Sequence, residues 1–292
     1  MLAGILLMGC VDKMPAPELE PLPEPEWTAG GSWPVEIDCE PGGPEAPELA
    51  VRRAVCGGGN YLNDWMQGDR PHFDAAIGVS AVNDLLTSPS WRAAELRALE
   101  YVASDANNLM RVLFDDDFER EPDRLSNGWA IPAGGKVPVD FVLIEAAHCA
   151  DLPWREATSA YVCGPMRDQG GYETAHGLWA FTIAADRDCP VSGACVAELA
   201  RELAAAQPAS LSDPSTLDVD LFAERMLMVA RAEPALDDLR VWGPELMRHQ
   251  RDDGGFYAPA ADEKPYYAFH ATMAASWALA EWYRREREAG NW

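Results

Sequence analysis

Histidine and carboxylate side chains stand close together at the starts of uncharged stretches of the chain. His72, His176 and His270 each begin such a stretch. An imidazole titrates near neutral pH, and a neighbouring carboxylate can act beside it as a general acid or base. If the chain is an enzyme, the sequence predicts that its acid and base come from Asp168, Glu173, Asp252 and Asp253.

The same residues have a structural alternative. Each histidine can bond a neighbouring loop and order one rim of a helical domain, and aspartates before glycines can cap the next helix. Asp74, two residues after His72, is a further carboxylate near the histidines. Convergence of the histidines would instead provide an acid–base or metal site. The spacing shows neither a Cys-x-x-Cys pair nor a His-Glu-x-x-His helix, so the sequence predicts no metal site and no cofactor.

Aromatic side chains accompany the histidines. Trp179 and Tyr257 each lie a few residues beyond a glycine pair. We interpret them as candidate ligand contacts at the rim, where a ring can stack on a sugar. Packing between helices is the alternative use of such rings.

Two stretches share one pattern, an acidic residue, a glycine pair and an aromatic residue. They run from Asp168 to Tyr172 (DQGGY) and from Asp252 to Phe256 (DDGGF). Adjacent glycines supply the positive φ that other residues avoid, so each stretch predicts a turn. The run that follows the second turn, residues 267–280, carries no charge. A helix without a charged face is expected to be buried.

Uncharged and amphipathic helical stretches alternate along the chain. Inner, buried helices are predicted near residues 73–87, 139–149, 174–186, 218–231 and 267–284. Outer helices are predicted near residues 90–114, 155–162, 193–206 and 235–250. No strand pattern of comparable length occurs. This alternation predicts an all-α fold, an α/α toroid of inner and outer helices.

The stretch from Gln250 to Phe256, with His270-Ala271-Thr272 after it, resembles the repeat of the α/α-toroid superfamily of terpenoid cyclases and protein prenyltransferases. It is also similar to the turn of (α/α)6 glycosidases that act on unsaturated glucuronyl sugars. The resemblance implies the toroid fold. The catalytic motifs of the cyclases are absent, because their Asp-x-Asp-Asp acid is matched here only by Asp218-Val219-Asp220-Leu221.

The amino-terminal residues predict export and lipidation. Leu7-Met8-Gly9-Cys10 resembles a bacterial lipobox, in which the cysteine is cleaved and lipidated. We interpret residues 1–9 as the end of a signal peptide that starts further upstream. Residues 10–47 are rich in proline and glutamate and predict a disordered tether. Residues 48–292 then form the toroid domain.

Six further cysteines predict three disulfides in an oxidising compartment, either the periplasm or the cell surface. Because loop closure favours near neighbours, the expected pairs are Cys39 with Cys56, Cys149 with Cys163, and Cys189 with Cys195.

The net charge of −25, with three lysines among 23 basic residues, excludes nucleic acid as a partner because it leaves no basic face for phosphates. The predicted partners are a membrane, through the lipid anchor, and a glycan or an envelope protein. Two functions remain open. One is an envelope lipoprotein with a binding or structural role, and the other is a polysaccharide hydrolase or lyase with an acid–base pair at the rim.

Overall fold

The computed structural model describes residues 39, 47–66, 73–86, 89–104, 113, 139–149, 156–232, 236–258 and 265–292. All of them belong to one compact unit, Trp33–Trp292. The predicted signal peptide, Cys10, His72 and all of the predicted tether except Cys39 and Pro47 lie outside the described residues.

The described regular structure is helical, which confirms the predicted all-α class. The helices are α1 (Pro47–Met66), α2 (Phe73–Leu86), α3 (Pro89–Ser104), α4 (Val139–Ala147), α5 (Glu156–Tyr161), α6 (Gly171–Asp186), α7 (Gly193–Ala206), α8 (Thr216–Ala232), α9 (Leu236–Met247) and α10 (Pro265–Glu288). A π-helical turn (Val162–Met166) and a 3-10 turn (Arg167–Gln169) connect α5 to α6.

Helix α10 is the central helix of this arrangement, because it packs against α1, α2, α8 and α9. Many of its buried positions are alanines, whose small side chains let neighbouring helices approach closely. Helix α6 packs against α4, α7 and α8. The predicted inner helices are therefore neighbours in the order α4, α6, α8, α10 and α2. Closure of this row into a toroid stays a prediction.

Helix α1 was not expected, because Gly57-Gly58-Gly59 in its middle disfavours a helix. Packing explains these glycines. A Cβ on Gly58 would lie 2.1 Å from the Ser276 hydroxyl on α10, and a Cβ on Gly59 would lie 2.4 Å from the Trp91 ring on α3. The tight contacts that α1 makes with its neighbours therefore outweigh its low intrinsic helix propensity.

One of the three expected disulfides is confirmed and two are wrong. Cys39 pairs with Cys56 as predicted, but Cys149 pairs with Cys189 and Cys163 pairs with Cys195. Helix packing overrides loop length here. Helix α4 lies against α6, so Cys149, just after α4, meets Cys189, just after α6.

Three disulfides indicate an oxidising, exported environment for this domain. Among the residues described above, no helix has both the length and the apolar character needed to cross a membrane.

Candidate functional site at the amino-terminal ends of the inner helices

Four inner helices bring side chains to one place, from the first turn of α2, the second turns of α6 and α10 and the middle of α8. Asp74 lies on α2, His176 on α6, Glu224 on α8 and His270 on α10. Each of these side chains lies within 4.0 Å of at least one of the others. Their convergence shows that the four helices point their amino-terminal ends to the same side of the domain.

Helix α8 contributes two carboxylates four residues apart, a spacing that puts both side chains on one face of a helix. Asp220 is 3 % exposed and Glu224 is 6 % exposed. This face of α8 meets α6 and α10. Both carboxylates are therefore directed toward the helices that carry the histidines.

His270 is held by Asp220. Its Nδ1 lies 2.9 Å from Asp220 Oδ1, while its Nε2 lies 3.9 Å from Glu224 Oε1 and 4.0 Å from Asp74 Oδ2. Burial alone lowers the pKa of His270, but the charge and hydrogen bond of Asp220, with the charges of Asp74 and Glu224, raise it to about 10. In this arrangement the imidazole is a cation among three carboxylates.

His176 is oriented by the main chain. Its Nδ1 lies 2.8 Å from the Tyr172 carbonyl oxygen. Because a carbonyl can only accept, Nδ1 carries the proton and donates it, which leaves Nε2 to face Glu224 Oε1 at 3.8 Å.

Glu224 lies between the two imidazoles and is the least satisfied charged group in the site. Its Oε2 is buried and has no hydrogen-bond partner. Burial raises the pKa of Glu224 to about 7, although the charges of His176 and His270 oppose that rise. A carboxyl that titrates near neutral pH can hold or release a proton under ordinary conditions.

Tyr172 ties the turn before α6 to α8. Its hydroxyl lies 3.0 Å from Asp220 Oδ2 and 2.9 Å from the Leu217 carbonyl oxygen. Burial and the negative charges of Asp220 and Glu224 raise the pKa of Tyr172, so the phenol stays protonated and donates. Tyr172 thus fixes both the Asp220 carboxylate and, through its carbonyl, the His176 ring.

A cavity of about 20 Å³ adjoins His176, Glu224 and His270. A volume of this size holds roughly one water molecule or one ion. Trp179 and Trp277 close its other side and meet edge to face, with ring centroids 5.9 Å apart. The site therefore has no room for a sugar or a peptide.

Larger cavities lie toward the carboxyl-terminal ends of the same helices. Two cavities of about 690 and 530 Å³ share Asp84, Asp186, Arg231 and Trp277 in their walls. His176 and Asp186 are ten residues apart on α6, so the two ends of the helix are separated by about 15 Å. Trp277 borders all three cavities.

Two of the four predicted acid–base residues precede or begin α6 without meeting the histidines. Asp168 is exposed on the 3-10 turn, and Glu173 is half-buried in the first turn of α6. The carboxylates within 4.0 Å of His176 or His270 are those of Asp74, Asp220 and Glu224, and neither Asp168 nor Glu173 is among them.

The other two predicted residues, Asp252 and Asp253, belong to the second glycine turn and are exposed. Asp253 accepts the Gly255 N–H at 3.0 Å and the Tyr257 hydroxyl at 2.5 Å. Gln250 donates to the carbonyls of Ala54 on α1 and Gly254. The turn and Tyr257 are thus engaged in fixing the chain against α1.

The structure brings together His176 and His270, and Trp179 lies beside them, but the sequence analysis missed Glu224. The available signal was the spacing of Asp220 and Glu224 on α8, whose neighbours Phe222, Ala223 and Met226 are buried. Carboxylates on the buried face of a helix need a partner or a ligand.

Comparison of the chain with protein-family models, with curated proteins and with solved structures found no match.

Proposed function

We propose that the protein is an exported envelope lipoprotein, anchored through Cys10, whose helical domain binds a neutral carbohydrate chain. The observation that carries this proposal is the pair of adjoining cavities of about 690 and 530 Å³ with Trp277 in both walls. Cavities of this size suit small ligands. An indole face offers a sugar ring an apolar surface, and carboxylates accept its hydroxyl protons.

The charges in the wall of the larger cavity balance, with Arg231, Arg284, Arg285 and Arg287 beside Asp84, Asp186, Glu281 and Glu288, and so favour a neutral ligand over an anion. Arg231 is paired with Asp186 and lies 3.7 Å from Glu281. Its guanidinium also lies over the Trp277 ring, 5.2 Å from the centroid. Because Arg231 already has acidic partners and the whole chain carries −25, a phosphate or uronate would meet repulsion.

Cleavage of the polysaccharide is the second candidate, and Asp84 supports it. Asp84 lies in both cavity walls. Partial desolvation and the charges of Glu95 and Glu281 raise its pKa, although Arg92 lowers it. A carboxyl that retains its proton can act as the general acid of a glycosidase.

Calorimetric titration with neutral cello-, malto- and chito-oligosaccharides tests the binding role. We expect the wild-type chain to bind one series, and Trp277→Leu to weaken that binding roughly tenfold through loss of a ring contact. Trp65→Leu is the matched control, because Trp65 is also half-buried and ring-stacked, on Phe269 at 5.0 Å, yet lies outside both cavity walls.

The carbohydrate proposal is wrong if no series binds, or if Trp65→Leu weakens binding as much as Trp277→Leu. Release of new reducing ends by wild type, abolished in Asp84→Asn, would identify the cleaving enzyme instead. Anchoring is tested separately with the native gene, where Cys10→Ser should move the protein from the membrane fraction to the soluble fraction.

A further inference from the structure

We propose that Asp74, His176, Glu224 and His270 bind one divalent transition-metal ion, for which Zn²⁺ is the best match. This site lies closer to the amino-terminal ends of the inner helices than the carbohydrate cavities do, and although Trp277 borders both regions, none of the four residues lines those cavities. Two imidazole nitrogens with carboxylate oxygens form a ligand set that Zn²⁺ accepts in tetrahedral geometry.

Three of the six distances between the candidate ligand atoms are close to those around one ion. His176 Nε2 and His270 Nε2 lie 3.8 and 3.9 Å from Glu224 Oε1, and Asp74 Oδ2 lies 4.0 Å from His270 Nε2. Tetrahedral bonds of about 2.0–2.1 Å separate neighbouring ligand atoms by roughly 3.3 Å. Each of these three pairs therefore needs to close by about half an ångström, and His176 and Asp74 have to rotate toward Glu224 and His270 to complete the ligand set.

Both imidazoles are already oriented as metal ligands are. A ligating histidine usually donates its second ring N–H to a carboxylate or a main-chain carbonyl, which fixes the ring and directs the other nitrogen at the ion. His270 Nδ1 meets Asp220 and His176 Nδ1 meets the Tyr172 carbonyl. In both rings Nε2 is thereby turned toward Glu224, and binding of the ion displaces the proton that His270 Nε2 carries in the metal-free protein.

An independent observation also points to a ligand. Glu224 is more than nine-tenths buried, borders the cavity of about 20 Å³, and its Oε2 has no hydrogen-bond partner. A buried carboxylate oxygen without a partner is costly, and a cation in the adjoining cavity would satisfy it. Two of the four proposed ligands, Glu224 and His270, also form with Asp220 a group whose possible ligand atoms all lie within 4.8 Å of one another.

The experiment uses the full chain after removal of metal with a chelator. Titration with Zn²⁺ against a chromophoric competitor should show one ion per chain, and Co²⁺ should give the strong visible absorption of a tetrahedral site. We expect Glu224→Gln and His176→Gln each to weaken Zn²⁺ binding at least a hundredfold. Asp220→Asn, which alters the partner of His270 and of the Tyr172 hydroxyl but none of the proposed ligands, should weaken it about 10–100-fold.

His249→Gln is the matched control, because His249 also lies near a glutamate, Glu245 at 3.3 Å, but at the carboxyl-terminal end of α9, away from the four inner helices. This variant should keep the wild-type affinity for Zn²⁺.

The proposal is overturned if wild type binds no Zn²⁺, if Glu224→Gln and His176→Gln keep their affinity, or if His249→Gln loses as much affinity as they do. Circular dichroism checks folding, and if Glu224→Gln does not fold, His176→Gln decides the outcome. Carbohydrate binding is measured separately, so either proposal can fail alone.

Discussion

The two ends of the inner helices place charged groups under different conditions. At the carboxyl-terminal end, Arg231 is paired with Asp186, whose side chain is 63 % exposed, beside large cavities. At the amino-terminal end, Glu224 is buried beside a cavity that holds about one water molecule or one ion. One of its carboxylate oxygens has no hydrogen-bond partner. Arg231 Nε is also buried without a hydrogen-bond partner, but its other nitrogens are ion-paired with Asp186 and lie near Glu281. A charge with such partners costs the fold less than a buried carboxylate with one oxygen unpartnered and no ion pair closer than 3.8 Å. The second arrangement is the one that requires a functional explanation.

The two disulfides that were not predicted lie near opposite ends of α6, so each is expected to support a different one of the two proposed binding sites. Cys149–Cys189 follows Asp186 at the cavity end, and Cys163–Cys195 holds the segment before α6. Within that segment Val162 packs against Gly177, next to His176, where an added Cβ would lie 2.9 Å from the valine side chain.

The largest effects are expected from removing these disulfides. The bridges span 40 and 32 residues, and loops of this size predict a loss of about 4 kcal/mol each. Unfolding in guanidinium should show this loss for Cys149→Ser/Cys189→Ser and for Cys163→Ser/Cys195→Ser. If the ends are independent, the first variant weakens carbohydrate binding and the second weakens Zn²⁺ binding. Equal losses of both activities in both variants would show that the ends act as one site.

A slightly smaller effect is expected from Glu224→Gln in metal-free protein. Burial raises the pKa of Glu224 from 4.5 in the unfolded chain to about 7. The unfolded state therefore ionises first, and wild type loses stability as pH rises from 4.5 to 7. Glutamine does not titrate, so the variant should be more stable than wild type above pH 7, by on the order of 3 kcal/mol.

Thermal melts of both proteins with chelator, from pH 4.5 to 8, measure this difference. The two curves should approach each other at the acid end and separate steadily toward neutral pH. A variant that is less stable at every pH would show instead that the Glu224 carboxylate holds the histidines in place and contributes net stability.

The helices were predictable where the order of charged and apolar residues along the chain defines them. Uncharged runs identified the inner helices, and the predicted outer helix 193–206 matches α7. Helix α1 was missed because its glycines are explained only by Ser276 and Trp91, which are distant in the sequence. The disulfide pairs were missed for the same reason, since they depend on which helices are neighbours.

The sequence predicted the two histidines of the candidate site but not the buried carboxylate between them. His176 and His270 stand out because each begins an uncharged helix. Asp220 and Glu224 lie on a helix that also carries Asp218, Arg225 and Arg231, and sequence alone does not say which of these charges face inward. The burial of α8 against α6 and α10 makes that distinction.

The smallest effect is expected at the carboxyl-terminal end, from Asp186→Asn. This substitution removes one charge from the pair with Arg231 without changing the size of the side chain. Because the Asp186 side chain is 63 % exposed and Arg231 also lies near Glu281 and the Trp277 ring, we expect a loss of about 0.5 kcal/mol, reduced further by salt. Thermal melts at low and high salt compare the stability change of Asp186→Asn directly with that of Glu224→Gln. A loss above about 2 kcal/mol would mean that the cavity wall depends on this ion pair, and the contrast between a weakly coupled charge pair at one end and a costly buried carboxyl at the other would no longer hold.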